Sequence, residues 1–300
     1  MQKLLDSLKA GQVLVADGAM GTMLFKRGLK PGDCPEKMNL EHPEALEEIA
    51  YLYLNAGADI IQTNTFGGSP LKLSQYALED KTEAINIAGV RAARRAIDAS
   101  AYLSASCGPS GRLLKPYGDT EPDVVRQGFE RQLRAISGEG VELICIETMT
   151  DLAEAVLAVQ AAKAVAPHIP VAATMTFDET PRGFFTVMGT TVEKAAEGLA
   201  AAGADVIGSN CGNGIENMIK IAAEFKQHTS KPLLIQSNAG LPQMQGDTLQ
   251  YPESPEFTAD RCRALLELGV SIIGGCCGTT PAHTAAIRRV VDEFNRTRSD

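Results

Sequence analysis

The segment AAGADVIGSNCG at residues 201–212 contains, in order, the end of a helix, a short apolar strand and a polar turn. A glycine just past a helix end supplies the left-handed residue that terminates the helix, and the strand then begins at once. The same lead-in occurs as NAGAD at 55–59, GEGVE at 138–142 and ELGVS at 267–271. This repetition predicts a chain in which helices and strands alternate.

Eight short runs of this kind are spread over the chain, and most are continuously apolar, as expected for strands covered by helices on both faces. They are VLVADG (13–18), ADIIQTNTF (58–66), LSASCGP (103–109), ELICIET (142–148), PVAATMTF (170–177), ADVIGSNCG (204–212), PLLIQSNAG (232–240) and SIIGGCCG (271–278). Eight strands alternating with helices predict an α/β fold, a (β/α)8 TIM barrel. Because no linker interrupts the pattern, we expect one domain over residues 1–300.

The competing α/β architecture is a doubly wound open sheet. Such a sheet usually has fewer strands and a GxGxxG phosphate loop after the first of them. Here the first strand is followed by DGAMGT at 17–22, which does not match that loop. The sequence therefore favours the barrel.

Between the strands, segments 43–56 and 191–202 have the apolar spacing of helices. Three stretches rich in proline, glycine and polar residues, at 26–43, 108–123 and 241–258, follow strand ends. We predict that they are long loops over the catalytic face of the barrel.

The composition excludes several classes of function. The 300 residues include 28 Lys and Arg against 37 Asp and Glu, for a net charge of −9, which argues against a nucleic-acid partner and gives no polybasic membrane signal. No apolar run reaches the roughly 18 residues of a spanning helix, and residues 1–18 show no signal peptide. We expect a soluble, cytoplasmic protein in a reducing compartment.

In a barrel, the residues at the carboxyl ends of the strands converge on one mouth. The predicted strand ends carry Asp17, Asn64, Cys107, Glu147, Thr176, Cys211, Asn238 and the pair Cys276 and Cys277. Cysteines from the sixth and eighth strands are thus expected to meet, although they are far apart in the sequence.

Three cysteines at an open mouth predict a zinc site formed by Cys211, Cys276 and Cys277, with the fourth position free for substrate. Neighbouring residues of a strand point to opposite faces. The adjacent ligands therefore require a bend after the glycine pair at 274–275.

Two other roles are open to these cysteines. A vicinal disulfide at 276–277 would need an oxidising compartment, and a closed structural zinc site would need a fourth thiolate or imidazole. The remaining cysteines are expected to be buried apolar residues: Cys34, Cys107, Cys145 and Cys262.

Several of the quoted motifs together resemble the homocysteine S-methyltransferase family, over about residues 10–292. The motifs are NTF at 64–66, IET at 146–148, SNCG at 209–212, NAGLP at 238–242 and GGCCGTTP at 274–281. They are most similar to the branch that forms the homocysteine-binding module of cobalamin-dependent methionine synthases. The resemblance implies a zinc-dependent methyltransferase that converts homocysteine to methionine and binds zinc through the same three cysteines.

The residue types suit that chemistry. Only the thiolate of homocysteine is nucleophilic, and metal coordination removes the thiol proton near neutral pH. A zinc ion with three thiolate ligands has a formal charge of −1, so a fourth sulfur stays electron-rich. All-sulfur ligation therefore suits transfer of a methyl group to sulfur better than generation of hydroxide.

Further polar residues are candidates for holding the amino acid. A carboxylate in the apolar context of Glu147 needs a cationic partner, and the substrate ammonium is a suitable one. Asp17 is a second candidate for the ammonium, or it braces a loop. Backbone N–H groups at Gly18 and Ala19 can hold the substrate carboxylate.

Two asparagines complete the predicted site. Asn238 is expected to supply an amide oxygen to the metal, to support the ligands by hydrogen bonds, or to cap a turn. Asn64 is expected to line the pocket with its threonine neighbours.

The methyl donor is not determined by these residues. The sequence contains no DxHxxG motif, the lower-ligand loop expected of a cobalamin-binding domain. A methylated corrinoid would therefore be carried by another protein. A small methyl donor is the other possibility. One alternative is a substrate-capturing module without complete activity of its own. Another is a phosphate-binding lyase or aldolase barrel, which requires a strand-end lysine that none of the eight runs has.

Overall fold

The computed structural model describes residues 3–97, 99–245 and 248–299. Its strands, in chain order, are β1 (Leu14–Val15), β2 (Ile60–Gln62), β3 (Tyr102–Cys107), β4 (Leu143–Met149), β5 (Val171–Met175), β6 (Asp178–Thr180), β7 (Gly183–Phe185), β8 (Val206–Asn210), β9 (Leu233–Ser237), β10 (Gln243–Gln245), β11 (Thr248–Gln250) and β12 (Ile272–Gly275). Eight are parallel and pair in the order β1-β12-β9-β8-β5-β4-β3-β2. A parallel bridge between Ala16 and Ile60 joins the two ends of this order, so the predicted TIM barrel is confirmed.

The first helix precedes the first strand and packs against the apolar cluster in the barrel interior, and the other helices follow strands and surround the barrel. The helices are α1 (Leu4–Lys9), α2 (Met20–Phe25), α3 (Met38–Glu41), α4 (Pro43–Asn55), α5 (Pro70–Leu73), α6 (Thr82–Ile97), α7 (Pro122–Ser137), α8 (Leu152–Val165), α9 (Val192–Ala201), α10 (Ile215–His228), α11 (Pro255–Glu267) and α12 (Pro281–Ser299). The helices predicted at 43–56 and 191–202 correspond to α4 and α9. Within the described ranges, no helix is both long and apolar enough to cross a bilayer.

The three predicted loops are only partly irregular. Segment 108–123 is a loop up to the start of α7, but 26–43 includes a short 3₁₀ turn and α3. Segment 241–258 connects β9 to α11, as predicted, but it contains the hairpin β10–β11 and the start of α11. Positions 246 and 247 lie outside the described residues. The hairpin β6–β7 was also missed, because its exposed strands lack the apolar pattern that marks the barrel strands.

The core has two layers separated by the strands. A small apolar cluster fills the lower half of the barrel interior, and it includes Leu14, Ile60, Leu143, Val206 and Leu234. The opposite faces of the same strands pack against the helices in a much larger cluster. Burial on both faces explains why the barrel strands are continuously apolar in sequence.

An acidic residue at the start of a strand ties each of three barrel strands to a neighbour and to a helix. Oδ2 of Asp205 accepts hydrogen bonds from the Val171 N–H at 2.8 Å and from Lys163 Nζ at 2.5 Å. In the same way, Asp59 accepts from the Val15 N–H and from Arg288. Glu142 accepts from the Leu103 N–H and from Arg94. Three of the four repeated lead-ins therefore end in an acid that joins strand to strand.

Replacement of this acid tests its contribution to stability. We expect Asp205→Ala to lower the free energy of unfolding by about 1–3 kcal/mol, because the Val171 N–H loses its acceptor. Ser271→Ala is the matched control, since Ser271 ends the fourth lead-in without a charge; its effect should stay within about 0.5 kcal/mol. Denaturant unfolding measures both, and equal effects would contradict the assigned role of the acid.

Candidate active site

A cavity of about 280 Å³ opens at the carboxyl ends of the barrel strands. Of the predicted site residues, it is lined by Gly18, Ala19, Asn64, Glu147, Cys211, Cys276 and Cys277. Asp17 and Asn238 lie beside this cavity, but neither is part of its wall. The fold thus brings together residues from the first, second, fourth, sixth and eighth barrel strands, which are β1, β2, β4, β8 and β12, as predicted for this mouth.

The sulfur atoms of Cys211, Cys276 and Cys277 all lie within 4.8 Å of one another. The Sγ atoms of Cys211 and Cys277 are 3.7 Å apart. Tetrahedral ligation at a Zn–S distance of about 2.3 Å places two sulfurs about 3.8 Å apart. The three side chains therefore have the spacing of a metal site.

The electrostatics of these thiols also suit a cation. Contacts with the Cys276 and Cys277 thiols lower the pKa of Cys211, while the contact with Cys211 raises the pKa values of Cys276 and Cys277. The cluster therefore favours a thiolate at Cys211. A thiolate held against two further sulfurs is a natural ligand set for a divalent metal.

A tight turn places the two adjacent cysteines. The strand β12 ends just before Cys276, whose N–H donates to Ser237 O at 2.7 Å and whose carbonyl accepts from the Thr279 hydroxyl at 2.7 Å. Gly278 has φ +79°, and a Cβ there would lie 2.1 Å from Cγ of Tyr251. The predicted bend after the paired glycines is confirmed, and the glycine that follows the ligands is required by both φ and space.

Cys211 has an unusual backbone conformation. Its φ of +61° is in the left-handed region, and so is the φ of +75° at Gly212. The Cys211 carbonyl accepts from Asn213 N–H at 2.9 Å. Left-handed conformations at non-glycine residues cost about 1–3 kcal/mol and are concentrated at functional sites.

Glu147 is buried on the wall of the same cavity, with 6% of its surface exposed. The Ser106 hydroxyl donates to its Oε1, and Asn210 Nδ2 donates to its Oε2 at 3.3 Å. Burial raises the pKa of Glu147 to about 7, against the effect of the Ser106 hydrogen bond. Because no cation contacts this carboxylate among the described residues, a cationic substrate group would stabilise its ionised form.

Asp17 has a different environment. Its Oδ2 accepts from the Gln62 N–H at 2.8 Å, which links the ends of β1 and β2. Its Oδ1 is buried without a partner among the described residues, and burial raises the pKa of Asp17 to about 8. The predicted bracing role is observed directly, whereas contact with an ammonium would have to involve Oδ1.

The backbone at Gly18 and Ala19 lines the cavity, but one of its donors is already used. The Ala19 N–H donates to Thr279 Oγ1 at 3.2 Å, so a substrate carboxylate would compete with that hydroxyl. A Cβ at Gly18 would lie 2.6 Å from the same oxygen. Glycine is therefore needed for the close approach of the first and last barrel strands.

The two predicted asparagines have supporting contacts. Asn64 Nδ2 donates to Pro35 O and to Asn39 Oδ1, each at 2.8 Å. The Asn238 side chain lies near Cys211 and contributes to lowering the pKa of that thiol. The amide oxygen of Asn238 is buried without a partner among the described residues. The three roles predicted for Asn238 stay predictions, and its effect on the Cys211 thiol favours support of a ligand.

The remaining cysteines are buried, as predicted. Cys107 and Cys262 belong to the outer core, Cys145 lies in the barrel interior, and Cys34 packs in a separate small cluster. None of these four lines the cavity. Burial raises the pKa values of Cys34, Cys107, Cys145 and Cys262, so all four stay protonated.

Four residues with direct contacts in the site were not predicted. Ser106 hydrogen-bonds to Glu147, and the nearby Gln62 side chain lowers the pKa of that carboxyl. Both occupy inward positions that strand alternation could have identified. Asn210 lies within the quoted SNCG motif beside Cys211. The position of Tyr251 beside Cys277 had no sequence signal, because it depends on where the segment after β9 folds back.

Comparisons with known proteins agree with this geometry. A family model described as homocysteine S-methyltransferase matches residues 14–291. Methionine synthases from Mycobacterium tuberculosis (strain ATCC 25618 / H37Rv) and Mycobacterium leprae (strain TN) are both 33% identical to the chain, over 98% and 97% of its length. The chain spans only 26% and 25% of those two proteins.

Solved structures show the same fold. The homocysteine methyltransferase MmuM from Escherichia coli in its metallated form superposes with a TM-score of 0.80 at 23% identity, covering 96% of this chain and 99% of that one. Its apo form superposes with a TM-score of 0.73 at 23% identity, covering 96% of this chain and 98% of that one. Because the matching family model covers nearly all of the barrel, the chain belongs to the homocysteine S-methyltransferase family.

Proposed function

We propose that the protein transfers a methyl group to the sulfur of homocysteine, forming methionine, with zinc held by Cys211, Cys276 and Cys277. The observation that carries this proposal is the placement of three sulfur atoms within 4.8 Å of one another on a cavity that also contains the Glu147 carboxylate. The substrate class follows from the family of the chain. A cytoplasmic location is part of the proposal, because free thiol ligands persist in reducing compartments.

When bound, zinc would supply the positive charge that keeps the substrate thiol deprotonated near neutral pH. The three cysteines would hold the ion, and their negative charge would keep the substrate sulfur electron-rich. Glu147 would bind the ammonium of homocysteine, with Ser106 and Asn210 holding its carboxylate in place. These contacts would orient the sulfur towards the methyl donor at the open side of the cavity.

We propose a methylated corrinoid, carried by another protein or another domain, as the methyl donor. The methionine synthases that match this chain are about four times as long as the matched region. The loops around the mouth also expose large apolar side chains: Phe66, Leu113, Tyr117, Val187, Leu241 and Met244. Such exposure around an active site is typical of a contact surface.

The same exposed rim favours a second candidate, a module that captures and activates homocysteine without complete activity alone. The lyase or aldolase alternative is replaced by the family assignment, and the strand-end lysine that it requires is missing from the residues that line the cavity.

A donor screen with the zinc-loaded chain separates the two candidates. We expect methionine to form with free methylcobalamin or with a methylated corrinoid protein, and not with S-methylmethionine or betaine. Methionine formation is followed by chromatography with each donor in turn. Turnover with betaine or S-methylmethionine alone would overturn the corrinoid assignment, and turnover only with the corrinoid protein would favour the capture module.

Cys277→Ala tests the metal site. We expect the wild-type chain, purified under reducing conditions, to contain about one zinc per chain, and Cys277→Ala to lose most of it because one of three ligands is removed. Cys262→Ala is the matched control, since Cys262 is equally a free thiol but lies on the buried face of α11. Elemental analysis gives the metal content, and full retention by Cys277→Ala would remove that residue from the site.

Glu147→Gln tests the ammonium site. We expect homocysteine to bind about 10- to 100-fold more weakly, because a charged hydrogen bond is lost, while zinc stays bound. Glu154→Gln is the control, since Glu154 is another buried carboxylate whose contacts are to Ser110 rather than to the cavity. Calorimetry measures both affinities, and unchanged binding by Glu147→Gln would exclude the role.

The pH dependence of homocysteine binding tests whether Glu147 attracts the substrate ammonium through its negative charge. With the pKa of Glu147 at about 7, the carboxylate becomes neutral and loses its attraction for an ammonium as the pH falls below that value. The ratio of wild-type to Glu147→Gln affinity should therefore fall roughly eightfold between about pH 7.5 and about pH 6. A ratio that does not change with pH would contradict the charge interaction.

A further inference from the structure

Asn210, the last residue of β8, is fully buried and uses both ends of its side-chain amide. Its Oδ1 accepts from the Thr148 N–H at 2.8 Å and from the Thr174 hydroxyl at 2.7 Å. Its Nδ2 donates to Thr148 Oγ1 at 2.8 Å and to Glu147 Oε2 at 3.3 Å, and it lies 3.9 Å from Cys276 Sγ. One side chain thus contacts the carboxylate proposed for the ammonium and a sulfur proposed for the metal.

The backbone on both sides of this amide is strained. Among the described non-glycine residues, only Ala77, Thr148 and Cys211 have positive φ values, and the last two are at +59° and +61°. Thr148 is β-branched, for which this conformation is a clear outlier. It lies within the irregular pairing of β4 with β5, between Ile146 and Met149. Both the N–H and the hydroxyl of Thr148 are bound by Asn210.

These contacts join the ends of three barrel strands. Asn210 is bonded to β4 through residues 147 and 148 and to β5 through Thr174, and it approaches the turn after β12 at Cys276. It also directly precedes the metal-ligand candidate Cys211 in the chain. Movement of the Glu147 carboxylate relative to the sulfur cluster would therefore break at least one hydrogen bond of a fully buried amide.

We propose that Asn210 is a positioning residue that sets the distance between the ammonium site and the metal site, and thereby selects homocysteine over the shorter amino thiol cysteine. The inference rests on the proposed function. An amino thiol must reach Glu147 with its ammonium and the cysteine cluster with its sulfur at the same time. Cysteine is one methylene shorter, so a rigid spacing leaves one of its two ends out of place. One methylene typically changes binding 10- to 200-fold.

Asn210→Asp separates this role from general packing. The substitution preserves the size of the side chain and the acceptor that faces Thr148 and Thr174. It replaces the donor that faces Glu147, Cys276 and the Thr148 hydroxyl by an oxygen, to which that hydroxyl can donate in turn. That oxygen repels the Glu147 carboxylate and the Cys276 sulfur, so only the half of the amide that joins the two sites is disrupted.

Asn86→Asp is a matched control. Asn86 is also fully buried, and its Nδ2 donates to the carbonyls of Gly68 and Thr82, each at 2.7 Å. It lies on α6 outside the barrel, so the same substitution there costs hydrogen bonds without contacting the cavity wall.

The experiment measures the affinities of the zinc-loaded variants for homocysteine and for cysteine by calorimetry, together with zinc retention in competition with a chelator. For Asn210→Asp, we expect homocysteine binding to weaken at least tenfold, the homocysteine-to-cysteine affinity ratio to fall at least fivefold, and zinc retention to decrease. For Asn86→Asp, we expect a lower melting temperature with an unchanged affinity ratio. An unchanged ratio in Asn210→Asp, or an equal fall in both variants, would overturn the proposal.

A double variant keeps the test decisive if Asn210→Asp folds poorly. In N210D/E147Q the donor and the acceptor exchange places, so the hydrogen bond between positions 147 and 210 is possible again in the opposite direction. We expect folding and zinc retention to recover relative to Asn210→Asp, while homocysteine binding stays weak. No recovery would overturn the proposal. Failure of the wild-type chain to bind zinc or homocysteine would instead refute the proposed function.

Discussion

Closure of the parallel strands into a ring is the constraint on which the site depends. β1 contributes only two paired residues to the sheet, yet the bridge between Ala16 and Ile60 completes the ring. The next residue, Asp17, continues this contact through its N–H to Ile60 and its carboxylate to the Gln62 N–H. Because all strands run in the same direction, their carboxyl ends meet at one mouth. Cysteines from the sixth and eighth barrel strands become neighbours for that reason.

The barrel interior changes in character along its axis. Its lower half is filled by an apolar cluster, whereas inward positions nearer the mouth carry the polar residues Gln62, Ser106, Glu147 and Asn210. Hydrogen bonds from Ser106 and Asn210 to Glu147 hold these three buried groups in one orientation, since leaving any of them unpaired would be costly. The apolar half thus supplies stability, and the polar half supplies the geometry of the site.

Acidic groups are concentrated at the mouth without a matching cation from the described residues that line the cavity. Glu147 and Asp17 are buried carboxyl groups with raised pKa values, and the three thiols together favour a thiolate. Such an arrangement is unfavourable in isolation and becomes favourable when cations enter. A divalent metal and a substrate ammonium are the two cations that the proposed reaction brings to this place.

The sequence by itself determined the barrel and the metal-ligand candidates, because strand alternation and the repeated lead-ins show where each strand ends. Knowing the ends places Cys211, Cys276 and Cys277 at one mouth without any coordinates. Contacts made by single side chains across the barrel were decided only by the tertiary structure: Asp17 bracing β2, Asn210 joining Glu147 to Cys276, and Tyr251 reaching Cys277. The physical reason is that a strand pattern specifies the face and height of a residue, whereas the partner of a buried polar atom depends on the packing of distant segments around it.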